Sequence, residues 1–543
     1  MCFQELNKLK GRVMIHSQYR SNRFMVLGLG MFLCLIGIFM SQSSFSQGTA
    51  SDKGGNPAPS SAGVQNQPVD PQAPPRTFEI NFDTAKDLKI RLPKRDLTPT
   101  PFQTPDDRSG WVVSIPGKRP IATPAYYEGL IFVGGGYGSH EFYAFKADTG
   151  EVAWKIQTKD DGPTAAVVEE GCVAFNTESC TIMVLEARTG KVLWEEWLGD
   201  PLMSQPAISK GRLYMAYPAG QRGHPLSQVS GSYANQQKLD PTAPSRSGHQ
   251  LLCADLRTGK HYWEQSITSD VIAAPVIDGD QVFFTCFDGT SFCLNALDGQ
   301  VIWKKAHSGT SSPLVVEDQV VVTEKSQKEN QTLEGIRRLE IKKGQALDQE
   351  LRMSGKADYL RTGKGGGVAF SKAQQSTLDN SVGFGTAPAA ANLKAASENV
   401  GVGSVAGGWA YQGSRAAYRQ GRVSNAQGIY LNNMDFQSSS MRWRGVAVGK
   451  TVDPNDQLFT PPSMGKSRMY VATTQGHLLS VQETTGTVDF LYKTDHGMAF
   501  QPSLANGCMY VGTTDGLLVC LKTGDTDASD WHMWGGNAQH NKK

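Results

Sequence analysis

A short motif ending in tryptophan returns four times along this chain, at a spacing that leaves little choice of fold. Ala147-Asp148-Thr149-Gly150-Glu151-Val152-Ala153-Trp154 is followed by Ala187-Arg188-Thr189-Gly190-Lys191-Val192-Leu193-Trp194. Then come Asp255-Leu256-Arg257-Thr258-Gly259-Lys260-His261-Tyr262-Trp263 and Ala296-Leu297-Asp298-Gly299-Gln300-Val301-Ile302-Trp303. The tryptophans stand 40, 69 and 40 residues apart (154 to 194, 194 to 263, 263 to 303). About 40 residues is the length of one four-stranded propeller blade. The longer interval is one blade with an insertion, placed in the Gly/Ser/Pro/Gln-rich stretch 219–248. One Thr-Gly-x-x-x-Trp is chance, whereas four in register are a repeat.

Each unit reads as a Pro-containing strand start, an apolar strand, a third strand, a Thr-Gly or Asp-Gly turn and a strand ending in Trp. The glycine supplies the positive φ of a tight turn. The tryptophans Trp111, Trp154, Trp194, Trp263 and Trp303 carry enough apolar area to dock one blade on the next. Less regular units follow: a fifth without its Trp, a sixth from Trp409 to Trp443, a seventh, and an eighth lacking its own fourth strand. Gly110 to Pro116 stands before the first full unit and supplies that strand. The expectation is an all-β, eight-bladed β-propeller of four-stranded blades, closed by pairing of N- and C-terminal strands, which removes exposed sheet edges. Dense punctuation, Gly 58 and Pro 27, fits such a chain.

Before the repeats, Phe24 to Met40 is uncharged and apolar, preceded by five basic residues and followed by Ser-Gln-Ser-Ser-Phe-Ser. It reads as an export signal or an N-terminal membrane anchor within 1–46. Residues 47–100 read as a disordered linker, 101–541 as the propeller, and 354–408, rich in Gly, Ala, Ser and Asn, as a second insertion. The product is expected outside the cytoplasm, periplasmic or anchored in the inner membrane facing the periplasm.

The formal net charge is +2, carried by the leader, and no basic stripe marks a nucleic-acid binder. Of nine cysteines, seven lie beyond the signal, an odd number that forces at least one free thiol or an intermolecular bond in an oxidising compartment. A two-residue turn at Asp288-Gly289 would set Cys286 opposite Ser291, with Cys293 its diagonal neighbour on one face. Buried small hydrophobes are the preferred reading of all seven.

The Ala-x-x-Thr-Gly-x-x-x-Trp repeat with Pro-led inner strands resembles the pyrroloquinoline-quinone-like β-propeller family, over roughly Trp111 to Asn541. Phe175 to Cys180, Asp200 to Pro206, Met215 to Pro218 and Trp534-Gly535-Gly536-Asn537-Ala538-Gln539-His540-Asn541 are similar to an exported bacterial branch of it. The resemblance implies the fold more strongly than a function, because the same blade serves quinone-dependent dehydrogenases and the outer-membrane assembly scaffold BamB. The dehydrogenases use adjacent cysteines, plus calcium near a catalytic Asp. No adjacent Cys-Cys and no Cys-x-x-Cys-His occurs here. No cofactor is therefore expected, with pyrroloquinoline quinone and calcium the disfavoured alternative. Zinc-protease, hydrolase-elbow, EF-hand and phosphate-loop motifs are also missing.

Aligned strand starts nominate Thr123, Thr164, Gln205, Ala274, Ser312, Thr460 and Gln501 as a polar channel rim, suited to water or a weak polar ligand. One cluster adds charge: Asp160 and Asp161, then Asn176, Glu178 and Cys180, which would bind a cation or act as acid and base if they converge. The competing reading is a turn and a capped hairpin. Trp531 and Trp534 are expected to plug the last blade. Function is expected to be that of a non-catalytic envelope scaffold binding an envelope protein or other envelope component. The alternatives are a metal- or quinone-dependent oxidoreductase working in the channel and a polysaccharide-binding module.

Overall fold

The computed structural model describes residues 76–542 apart from 137, 161, 178–179, 199–203, 219–248, 269–270, 287–288, 307, 310, 329–330, 354–415, 439 and 454–457. The leader and both insertions thus lie outside the described residues, among which no helix is long and apolar enough to cross a membrane.

Apolar alternation over runs of three to ten residues, broken by Gly-containing turns, produces strands throughout. They form eight sheets, each with four antiparallel strands from inside to outside, and three of them carry a fifth strand on the outer edge. Blade 1 comprises Ala125–Tyr127, Leu130–Gly134, Glu141–Lys146 and Val152–Gln157. The inner strands of blades 2 to 8 are Val167–Glu169, Ala207–Ser209, Val276–Asp278, Leu314–Val316, Ala417–Arg419, Ser463–Met464 and Ser503–Ala505. Each inner strand touches the next, and that of blade 8 touches that of blade 1, so the ring is closed. Closure uses both chain ends: Ser109–Ser114 is the outer strand of blade 8, with Trp111 opposite Cys520.

Two-residue turns set the geometry of the inner hairpins. Glu128-Gly129, Glu170-Gly171, Lys210-Gly211, Gln420-Gly421 and Asn506-Gly507 all have positive φ at both positions, the conformation whose twist matches paired strands. The residue pair flanking such a turn is hydrogen-bonded, so the next residue inward points its N–H away from its own sheet. Around the ring these N–H groups face the channel.

The tryptophans sit between blades. Trp154, Trp194, Trp263 and Trp303 donate their indole N–H to the carbonyls of Ala187, Leu256, Ala296 and Ile341 in the following blade, at 2.9, 2.9, 3.0 and 2.7 Å. Trp111 reaches Ala147 in the same way at 3.2 Å, and Trp443, in blade 6, reaches Glu483 at 2.7 Å. Each of the first five rings packs on the turn glycine of that next blade, Gly190, Gly259, Gly299, Gly344 or Gly150, where a Cβ would lie only 2.5–2.7 Å from it. The glycine of the motif therefore answers to the Trp of the preceding unit as well as to its own φ.

Residues 76–100, expected in the linker, are instead ordered on the outside of the ring. Arg76–Asn81 pairs in parallel with Met441–Val448 of blade 6, Lys86–Asp87 with Val488–Lys493 of blade 7, and Thr100–Gln103 antiparallel with Ser109–Ser114. This strap is held by apolar alternation: Phe78 lies 5.5 Å from Trp443, Ile80 is buried, and Phe82 stacks on His477 at 4.2 Å and 11°. Alternation this short, framed by charged and Pro-rich sequence, resembles a linker until its distant partner strands are in place.

None of the seven described cysteines is in a disulfide, and all are buried. The expected register at Cys286 is corrected: Thr285, not Cys286, stands opposite Ser291, and Cys293 stands opposite Phe283. The turn is longer than two residues, with Cys286 N–H bonded to Thr290 O at 2.8 Å. Cys286 and Cys293 consequently pack on opposite faces of blade 4, in separate core clusters.

Candidate functional site

Thr123, Gln205, Ala274, Ser312 and Gln501 stand two residues before the first paired residue of their inner strands, whereas Thr164 and Thr460 stand three before theirs; all seven are buried. The side chains of Thr164, Ser312, Thr460 and Gln501 are hydrogen-bonded locally. Thr164 donates to Asn176 Oδ1 at 2.7 Å and accepts from the Asn176 N–H at 3.3 Å. Thr460 accepts from the Ala472 N–H at 3.0 Å, the same role in blade 7. Ser312 donates to Ala274 O at 3.4 Å, and Gln501 donates to Pro462 O at 2.7 Å, each stitching neighbouring blades. The Gln205 N–H does likewise to Ala273 O at 2.7 Å.

The chain's own C-terminal segment lies along the channel side of the inner strands. The N–H groups of Leu504, Tyr126, Ile208 and Ile277 donate to the carbonyls of Trp531, His532, Ala538 and Gln539 at 2.7, 2.7, 2.8 and 3.0 Å. The Val315 N–H donates to Asn541 Oδ1 at 3.0 Å. These are the middle residues of the inner strands of blades 8, 1, 3, 4 and 5, whose N–H groups the turn geometry aims inward. The tail thus satisfies donors that would otherwise form an exposed sheet edge. Gly535 N–H donates to Gln501 Oε1 at 3.0 Å. The ring nitrogens of His540 lie 2.9 and 2.8 Å from the carbonyl oxygens of Trp534 and Pro206. Trp531, Trp534 and His540 are buried. The expected plug on the last blade is therefore a tail on the channel side, reaching five blades.

Of the charged cluster, Asp161 and Glu178 lie outside the described residues. Asp160 is buried and accepts from the Thr177 hydroxyl, while the Thr158 hydroxyl donates to its carbonyl at 2.6 Å. Asn176 closes the second strand of blade 2, fully buried, and its Nδ2 has no hydrogen-bond partner. Cys180 takes a positive φ of 56°, bonds through its backbone to Thr177 and Leu198, and packs with Ile182 in the apolar core. Among the described residues no three His, Cys, Asp or Glu side chains are grouped to hold a metal ion.

Several titratable groups that spacing did not single out are perturbed, among them Glu169, His477 and Asp106. Burial, with Glu170 adding to it, pushes the Glu169 carboxyl on the inner strand of blade 2 up to about 7. Its Oε2 has no hydrogen-bond partner. Burial beneath Phe82, with Lys493 nearby, lowers His477 to about 4. Outside the ring, Asp106 of the strap is held well below the usual carboxylate range. Burial opposes this, but hydrogen bonds from Tyr492 and Thr104 and the charges of Arg108 and Lys86 outweigh it.

Residues 100–248 and 243–361 match the family model for the outer membrane protein assembly factor BamB. The chain is 20% identical over 245 residues to the assembly factor BamB of Nitrosomonas eutropha, covering 39% of this chain and 58% of that protein. It is 24% identical over 249 residues to the BamB of Burkholderia pseudomallei, covering 40% and 63%. It is also 23% identical over 211 residues to the tetrathionate hydrolase of Acidithiobacillus ferrooxidans, covering 37% and 38%. The chain thus spans less than two thirds of the length of each of these relatives. The in-register repeat, the closed ring of eight blades and the matched stretches together make the chain a β-propeller similar to the PQQ-like, BamB-like family.

Proposed function

We propose that this chain is an exported, non-catalytic β-propeller scaffold of the cell envelope, BamB-like in architecture, which binds an envelope protein or other envelope component. The observation that carries the reading is the C-terminal tail: on the channel side, where a propeller enzyme of this kind would work, it is bonded to the inner strands of five blades. The BamB relatives support an envelope partner, and the apolar leader supports export, with the leader either cleaved or kept as an anchor. Nothing in the charge distribution favours nucleic acid.

The described rim residues do not fit a quinone with its calcium. Thr164, Thr460, Ser312 and Gln501 are already hydrogen-bonded within the protein, and no adjacent cysteines exist to flank a cofactor. One observation favours an enzyme as a second reading, though not the metal- or quinone-dependent oxidoreductase in particular: a relative of comparable identity is named as a hydrolase. That reading needs Asp161 and Glu178 to meet at Asn176.

The test is calorimetric titration of the purified full chain with pyrroloquinoline quinone, with and without calcium, beside crosslinking in envelope preparations. The scaffold reading expects no quinone binding and one reproducible, identified envelope partner. Saturable quinone binding with a raised melting temperature would overturn it.

A further inference from the structure

Every blade from 1 to 7 carries a β-bulge at one place, immediately before the motif Trp or its equivalent. The register between third and outer strands slips there, leaving Ala153, Leu193, Tyr262, Ile302, Leu347, Arg442 and Asp489 unpaired in turn. Bulged residues on an outer edge are aimed away from the sheet, so their chemistry reports what meets that edge. Where the strap covers the edge, in blades 6 and 7, the residue is charged and ion-paired. Arg442 lies 3.7 Å from Asp435, and Asp489 lies 3.5 Å from Arg468 and 3.8 Å from Arg108 of the strap segment.

Where no strand is paired on the outer edge among the described residues, the same residue is apolar. Tyr262 is 46% exposed, Ile302 43% and Leu347 52%. Tyr262 is partly answered by Arg212, 4.3 Å above its ring. Blade 4 adds Leu297 and Val301, so three large apolar side chains lie exposed within six residues of its outer strand and turn. Among the described residues, every exposed large hydrophobic except Leu92 belongs to blades 2 to 5. Exposed lysines flank the densest part: Lys304 and Lys305 on blade 4, Lys342 and Lys343 on blade 5.

The strap shows what such an edge accepts. Phe78-Glu79-Ile80-Asn81 is extended and lays Phe78 and Ile80 inward, with Glu79 and Asn81 outward, and the 3-10 turn that follows buries Phe82. We propose that the outer rim of blades 4 and 5, centred on Leu297, Val301, Ile302 and Leu347, docks an extended segment of a partner protein. That segment alternates apolar with acidic side chains, the acids meeting Lys304, Lys305, Lys342 and Lys343. This deepens the scaffold reading and rests on it. The bulge keeps the edge from pairing indiscriminately, and the apolar side chains supply the area to be covered.

The probe is a fluorescent peptide of the strap's own residues 76–87, titrated into the purified full chain and followed by anisotropy. Saturable binding is expected, weakened about tenfold by Ile302→Glu with Leu347→Glu, and likewise by Lys304→Glu with Lys305→Glu. The substituted positions are solvent-facing, so equal melting temperatures certify the fold. A second readout, amide-exchange protection at residues 301–305 on adding peptide to the unaltered protein, needs no variant. Absence of binding or of protection would overturn the surface, as would indifference to the substitutions, which would place the peptide in the strap's own site on blade 6. Self-association of the full chain abolished by Ile302→Glu would assign the rim to a second copy and overturn the partner. An identified envelope partner held equally well by the variants would sink this surface while leaving the scaffold reading standing, whereas quinone binding would sink the latter alone.

Discussion

The ring of Trp194 packs on Gly259 of the following blade so closely that a Cβ there would lie 2.7 Å from it, while the indole N–H donates to Leu256 O at 2.9 Å. One contact thus fixes the identity of a residue in each of two successive units. Gly259→Ala must both strain a φ of 71° and push the ring away. We expect a loss of roughly 2–4 kcal/mol. Trp194→Phe keeps most of the apolar area and loses the hydrogen bond, for about 1 kcal/mol. Equilibrium unfolding in urea distinguishes the two, and equal effects would deny the glycine its role against the ring.

Deleting residues 530–543 strips the inner strands of the tail. The N–H groups of Tyr126, Ile208, Ile277, Val315 and Leu504 lose their acceptors. The expected outcome is a lower melting temperature together with faster amide exchange at these five positions. Outer strands such as Val301–Lys305 should exchange as before. Unchanged exchange at the inner strands would show that the tail does not hold them.

Stability should fall in mild acid because of His477. Its pKa drops from 6.5 to about 4 on folding, so between those values the unfolded chain binds more protons. The contribution is complete above about pH 6.5 and is lost as pH falls toward 4. It amounts to roughly 3 kcal/mol, since a tenfold change in proton affinity is worth about 1.4 kcal/mol. His477→Gln should flatten that part of the stability profile, and an unchanged slope would mean that Phe82 does not hold the imidazole neutral.

Glu169 acts with the opposite sign. Its carboxyl rises from 4.5 to about 7 on folding, so the folded protein binds the extra proton, and the stabilisation present below about pH 4.5 is lost as pH climbs through 7. Glu169→Gln, which stays neutral, should melt higher than the native protein at pH 8 and about equally at pH 4.5. A lower melting temperature at pH 8 would mean that the charged carboxylate has a partner.

The eight blades and the closing strand at Trp111 are legible in the sequence because their signals are local and repeated: each unit carries its own turn, alternation and Trp. The strap is not, although Phe78, Ile80 and Phe82 alternate plainly, because three apolar residues become a strand only against partners more than 350 residues away. The register around Cys286 escapes a reading of spacing because a one-residue change in turn length moves side chains to the opposite face. The polar rim is legible in position but not in its surroundings. Gln501 reads as solvent-facing because nothing in its own segment announces the tail, from whose Gly535 N–H it accepts a hydrogen bond.

The amino-acid sequence by itself determined the period, the fold class and the residue types at each blade contact, since these follow from short-range φ preferences and apolar alternation. Only the tertiary structure decided what lies in the channel and what lies on the rim. Both depend on chain ends meeting strands remote in sequence, where hydrogen-bond donors left over by the hairpins, such as the N–H of Ile208, choose their acceptors.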